Sequence, residues 1–151
     1  MIRTARVLVL VADGFREMAV LPCVTSLRNA GVETLLVGLK ADVRGAHGIA
    51  VTADTLLGEL PPEPEETLVV IPGGLRCTRA LLTDPRVHQL LEETLDHGGD
   101  VAVLAGAERL VDETVAGAES FRHQGKLGLE AFLQACVAEM GHGRPLAQDL
   151  G

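Results

Sequence analysis

Four short apolar runs punctuate the chain, and the stretches between them carry helical periodicity. Arg6-Val-Leu-Val-Leu-Val-Ala12 is apolar at almost every position, the pattern of a strand covered on both faces. Glu33 to Leu39, Thr67 to Ile71 and Asp100 to Leu104 are the other three runs. Between the first two, Glu17 to Ala30 places Met18, Leu21, Val24 and Leu27 at helical spacing, and Gly31 supplies a C-terminal stop. Between the third and fourth, Thr78 to His97 places Leu81, Leu82, Val87, Leu90, Leu91 and Leu95 in one helical stretch that closes at Gly98-Gly99. Such alternation predicts right-handed βαβ units. The fold class expected is α/β, a three-layer sandwich with a mostly parallel sheet, in a single domain over 1–151.

Other segments modify this picture. Ala41-Asp-Val-Arg44 and Ile49-Ala-Val-Thr52 flank Gly45-Ala-His-Gly48 and predict a small hairpin that interrupts the alternation. Leu60-Pro-Pro-Glu-Pro-Glu-Glu66 predicts a solvated loop. After Leu104, Glu108 to Val115 continues as a short helix, and Ser120 to His123 is a marginal strand. Leu129 to Met140 is an amphipathic helix with Leu129, Phe132, Leu133, Cys136 and Val137 on one face. The tail from His142 to Gly151 reads as loosely ordered.

Composition narrows the function classes. The net charge of −8 and an aromatic content of 2%, with no Trp or Tyr, remove the basic surface and stacking residues of a nucleic-acid binder. The same charge opposes an anionic membrane surface, and no apolar run approaches the ~20 residues of a membrane span. The amino terminus leads straight into the first strand-like run with no cleavage-site pattern, so no signal peptide is expected. Cys23, Cys77 and Cys136 are odd in number and widely spaced, and the five histidines form no zinc spacing. These features predict a cytoplasmic protein without disulfides, metal or other cofactor.

Candidate chemistry sits where strands end. Asp100-Val-Ala-Val-Leu-Ala-Gly-Ala107 runs from an apolar strand into a small-residue turn, the place where α/β proteins collect nucleophiles and ligands. The residue there is Leu104, whose alkyl side chain neither attacks a carbonyl nor loses a proton. Pro72-Gly-Gly74 ends the third run, and glycine there lets backbone N–H groups approach a ligand closely.

Taken together, several segments resemble the DJ-1/PfpI superfamily, also described as ThiJ or class I amidotransferase-like. They are Val9-Leu-Val-Ala-Asp-Gly-Phe-Arg-Glu-Met18, Leu27-Arg-Asn-Ala-Gly31, Gly45-Ala-His-Gly-Ile-Ala-Val-Thr-Ala-Asp54, Leu68-Val-Val-Ile-Pro-Gly-Gly74 and the helix from Leu129 to Gly141. Their order and spacing carry the resemblance, which implies a flavodoxin-like sheet and a Cys nucleophile at the elbow after the fourth strand. A Glu from the loop after the first strand would pair with that thiol. Ungapped alignment places Leu104 where the family has its Cys and Ala19 where it has its Glu. Ala107 stands where a Pro often follows. Only Ala107 to Leu127 separates the elbow from the last helix, so the fold is expected to be truncated relative to the family. His123 is a candidate remnant of the family's His.

Joint replacement of both partners predicts a catalytically degenerate member, acting through association or through a small carbonyl- or carboxylate-bearing ligand. Glu17, Gly73, Gly74, Cys77 and Ala105 are the pocket candidates, and no catalytic residue is assigned. Glu17 also reads as a first-turn carboxylate complementing a helix dipole, Cys77 as a small packing residue, and the glycines as turn formers. Arg16 is expected to face solvent. Loss of a strand pair leaves an edge to cover, which predicts a homodimer or higher oligomer. The alternative is a residual hydrolase, deglycase or glyoxalase-like enzyme with relocated residues, Cys77 or Glu17.

Overall fold

The computed structural model describes residues 5–60 and 66–142. Most of the proline-rich connector and of the C-terminal tail lie outside the described residues.

The first apolar run forms strand β1 (Ala5–Val11), and the later runs form β2 (Glu33–Gly38), β6 (Glu66–Ile71) and β7 (Asp100–Val103). Between β2 and β6 lie β3 (Asp42–Arg44), β4 (Ala50–Thr52) and β5 (Thr55–Leu56), and β8 (Arg122–His123) follows β7. The main sheet is six-stranded among the described residues, in the order β5-β2-β1-β6-β7-β8, and every pair in it is parallel. β3 and β4 pair antiparallel in a separate two-stranded sheet, with Val43 opposite Val51. This is the hairpin the glycine turn predicts.

A strand in the centre of a parallel sheet has helices over both faces, which is why its side chains need not alternate. All six residues of β6 are buried, and Val7 to Val11 of β1 are at most 1% exposed. Helix α1 (Glu17–Asn29) connects β1 to β2 and packs against α5 (Leu129–His142). Helices α2 (Leu75–Leu82) and α3 (Pro85–Asp96) connect β6 to β7, and α4 (Glu108–Thr114) connects β7 to β8. The chain leaves β1 toward one sheet edge and β6 toward the other. Right-handed crossovers therefore set α1 and α3 on opposite faces.

The sequence treats Thr78 to His97 as one helical stretch, but the structure has two helices. Asp84 breaks it: its backbone is extended, its side chain accepts the Arg86 N–H at 2.9 Å, and Pro85 begins α3. Proline has no N–H to give to a preceding turn and is favoured at a helix start, so Thr-Asp-Pro ends one helix and caps the next.

At the other end of the sheet, Arg122 of β8 donates to Asp100 at 2.5 Å and pairs with Glu139 of α5. That contact ties β7, β8 and α5 together. Phe132, Leu133, Cys136 and Met140 close α5 onto the common core.

Candidate functional site

Three loops meet at the carboxyl ends of the central strands: Ala12 to Arg16 after β1, Pro72 to Gly74 after β6, and Leu104 to Ala107 after β7. Leu104 continues the sheet, its N–H donating to Ile71 at 3.0 Å, and its carbonyl accepts the Ala107 N–H at 3.1 Å in the turn that opens α4. Its side chain is 0% exposed and belongs to the core. The seat at the elbow is filled by packing.

Glycine lets these loops crowd together. A Cβ on Gly73 would lie 2.4 Å from the Ala105 carbonyl oxygen, and one on Gly74 would lie 2.6 Å from the Gly14 carbonyl oxygen. Arg16 then lies over the junction. Its side-chain carbons pass within 3.3 Å of where Gly73 and Gly74 side chains would start, and its Nη1 donates to the Ala105 carbonyl at 3.2 Å. The sequence predicts a solvent-facing Arg16. It is exposed as a residue, but the long guanidinium arm reaches back across the niche. Gly73 and Gly74 thus make the turn and also permit the close approach of neighbouring backbone.

The amide after the elbow residue is the usual donor to a developing oxyanion. Here the Ala105 N–H donates to Gln124 Oε1 at 2.7 Å, while the other end of that carboxamide donates to the Leu127 carbonyl at 2.9 Å. Gln124 is placed by β8, whose parallel pairing sets His123 beside Val103 and lets the Gln124 N–H donate to the Val103 carbonyl. His123 therefore lies on the strand next to the elbow strand. Its Nε2 is bonded to the Ala118 carbonyl at 3.1 Å, with Asp112 at 3.8 Å.

Glu17 lies elsewhere. Its carboxylate is buried under the β3–β4 turn, where it accepts the N–H groups of His47 at 2.7 Å and Ile49 at 3.2 Å and contacts His47 Nδ1 at 3.1 Å. Burial alone would raise its pKa. The hydrogen bonds from its own backbone N–H, from the His47 ring and from the His47 and Ile49 amides outweigh that and hold it at about 2. Gly45 leaves room for the carboxylate, since a Cβ there would meet it at 2.4 Å. Glu17 is thus an ionised clip on the hairpin. Ala19, two residues on, is buried in α1.

Cys77 is 0% exposed, and burial pushes its thiol up to about 12, against a smaller lowering from a hydrogen bond with the Ala12 backbone and a further rise from Asp13. Burial likewise raises Cys23 to about 12 and Cys136 to about 11. A thiol in that range is protonated at neutral pH and is a poor nucleophile. Among the described residues, no group of three or more His, Cys, Asp or Glu is placed to hold a metal ion, and no helix is long and apolar enough to cross a membrane.

The candidates therefore divide. Gly73, Gly74, Ala105 and the Leu104 elbow come together, Glu17 belongs to the hairpin, and Cys77 lies in the core. Sequence reasoning missed Arg16 and Gln124 as occupants of the niche. Gln124 had no visible signal, because only the register of a two-residue strand places it there.

The sequence model of the DJ-1/PfpI family matches residues 5–121. The chain is 28% identical over 114 residues to the Parkinson disease protein 7 homolog of Danio rerio, covering 74% of this chain and 60% of that protein. It is 30% identical over 113 residues to a deglycase of Pyrococcus abyssi, covering 69% of this chain and 68% of that one. Against Drosophila melanogaster Protein dj-1beta the match covers 54% of the relative, so the chain spans little more than half the length of some relatives. The crystal structure of that fly protein superposes with a TM-score of 0.76 at 20% identity, covering 98% of this chain and 95% of the other. At that identity the superposition shows the fold, a flavodoxin-like parallel sheet between helices. The family match over residues 5–121 shows the kinship, and the chain belongs to the DJ-1/PfpI family.

Proposed function

We propose that this protein is a non-catalytic member of its family, acting by association with other copies of itself or by binding a small carbonyl or carboxylate compound. The observation that carries this reading is the state of the elbow. Leu104 fills the nucleophile's seat, Ala19 stands at the Glu position, Gln124 occupies the Ala105 amide and Arg16 covers the glycines. A nucleophile, a base and a free oxyanion donor act as a unit in acyl and carbonyl chemistry, and here all three places are taken by packing or internal bonds. Any carbonyl ligand at this niche has to displace Gln124 or Arg16. The three free cysteines support a reducing compartment, and we place the protein in the cytoplasm.

Association rests on a different observation from the one the sequence suggested. Both edge strands, β5 and β8, are two residues long, which blunts an edge by itself. At the start of α1, by contrast, Met18 is 80% exposed and Ile49, bonded to Glu17, is 48% exposed, apolar surface that a second copy would cover.

Methylglyoxal consumption by the purified protein, with Cys77→Ser alongside, tests the reading. The expected outcome is no turnover above buffer in either. Turnover that disappears in Cys77→Ser would establish a relocated thiol enzyme, the deglycase or glyoxalase-like alternative, and overturn the proposal.

A further inference from the structure

Cations are scarce in this chain, 13 Lys and Arg against 21 Asp and Glu. Three of them nevertheless line one cavity of about 260 Å³ at the carboxyl ends of the strands. Lys40 follows β2, Arg44 ends β3 and Arg76 lies in the first turn of α2, so three separate segments bring the charges together. Two carboxylates share the cavity, Asp13 and Asp42.

The hydrogen bonds show which charges are already used. Asp13 holds Lys40 at 2.8 Å through one oxygen and accepts the Arg44 N–H at 3.0 Å through the other. Asp42 accepts the Thr52 hydroxyl at 3.3 Å. Arg44 is braced by a 2.6 Å bond from Nη1 to the Gly48 carbonyl. Arg76 has no hydrogen-bond or ion-pair partner among the described residues. Its stem lies against Gly14, where a Cβ would come within 2.8 Å of the Arg76 Cβ. The cavity thus has three cations to two carboxylates, and the exposed Arg76 guanidinium feels the Asp13 carboxylate through space without a hydrogen bond to it.

Its position fits a ligand site. β1 lies between β2 and β6, where the strand order reverses, and open α/β sheets bind ligands outside the carboxyl ends of the strands at that crossover. The elbow after β7 lies one strand further along. We propose that this cleft binds a small dianion, a phosphate or a short dicarboxylate, on the fork of Arg76 with Lys40 and Arg44 at its flanks. A planar guanidinium pairs two oxyanion oxygens at once, and an ammonium adds a compact charge beside it. Asp13 sets the strength of the site by neutralising Lys40.

Thermal unfolding at constant ionic strength, titrated with inorganic phosphate or with malonate against chloride, tests this. A specific ligand at ten times its Kd raises the midpoint by about 3 °C or more and the rise saturates. The parent is expected to show that saturation with one or both dianions. Saturation with phosphate alone assigns a phosphate site, and saturation with malonate alone assigns a dicarboxylate site. Arg76→Gln and Lys40→Gln are expected to unfold within about 1 °C of the parent in chloride and to need at least tenfold more dianion. Asp13→Asn keeps an oxygen for the Arg44 N–H but releases Lys40, and is expected to bind several-fold more tightly. A rise that never saturates, or one with the same midpoint in Arg76→Gln, is the general exclusion effect of such salts and overturns the proposal.

Discussion

At the scale of single residues, Leu104 and Glu17 show how position decides chemistry. Leu104 is wholly buried at a turn where other side chains act on ligands. Placing a thiol there is expected to add little reactivity. In Leu104→Cys the sulfur would be enclosed, the Ala105 amide would still be held by Gln124, and Glu17 would still be held by the hairpin. Reaction with a thiol reagent under native conditions should therefore be as slow in this variant as in the parent, and become fast in both only on unfolding. Rapid native labelling of the variant alone would show an open elbow. Glu17 has a folded pKa of about 2 against an ordinary 4.5, so its charged form is bound by the fold. A depressed carboxylate contributes stability above the unfolded pKa and loses it as pH falls. The parent should thus begin to lose this contribution below about pH 4.5 and have lost it near pH 2. Glu17→Gln is expected to have a lower urea midpoint at pH 7 and a flatter fall across that window. Equal slopes would remove Glu17 from the account.

At the scale of elements, apolar runs and helical periodicity were read directly because burial on two faces or one face imprints its own period on the sequence. The division of α2 from α3 was also written in the chain, as Thr83-Asp84-Pro85, but the leucines on either side hid it. Asp84→Ala should cost about 1 kcal/mol, the usual worth of such a cap, measured as a shift in urea midpoint. A change below a few tenths would mean that Pro85 alone sets the boundary. The hairpin shows the reverse relation. Its two strands are three residues each, too short to persist alone, and Glu17 from α1 adds two bonds to the turn's own, accepting the His47 and Ile49 N–H groups.

At the scale of the whole molecule, the sheet brings together loops that are far apart in sequence. Arg16, Gly73 and Ala105 make one niche, while Asp13, Lys40 and Arg76 make another beside it. Self-association also belongs to this scale. Sedimentation at tens of micromolar is expected to give a dimer or larger species, and Met18→Glu should shift it to monomer, because a charge replaces an apolar side chain that is 80% exposed. A parent that stays monomeric at that concentration would end the association reading. The net charge of −8 adds a salt dependence, since screening reduces repulsion between like-charged copies.

The sequence by itself determined the α/β class, the parallel core, the glycine turns and the kinship, because each depends on local periodicity or on motifs in a fixed order. It also determined that position 104 holds no nucleophile. Tertiary structure alone decided what occupies the elbow and where Glu17 points. Those outcomes depend on the register of β8 against β7 and on the reach of long side chains across loops 30 to 89 residues apart in the chain. Neither register nor reach leaves a local pattern, since the residues that meet share no period and are joined only when the strands align.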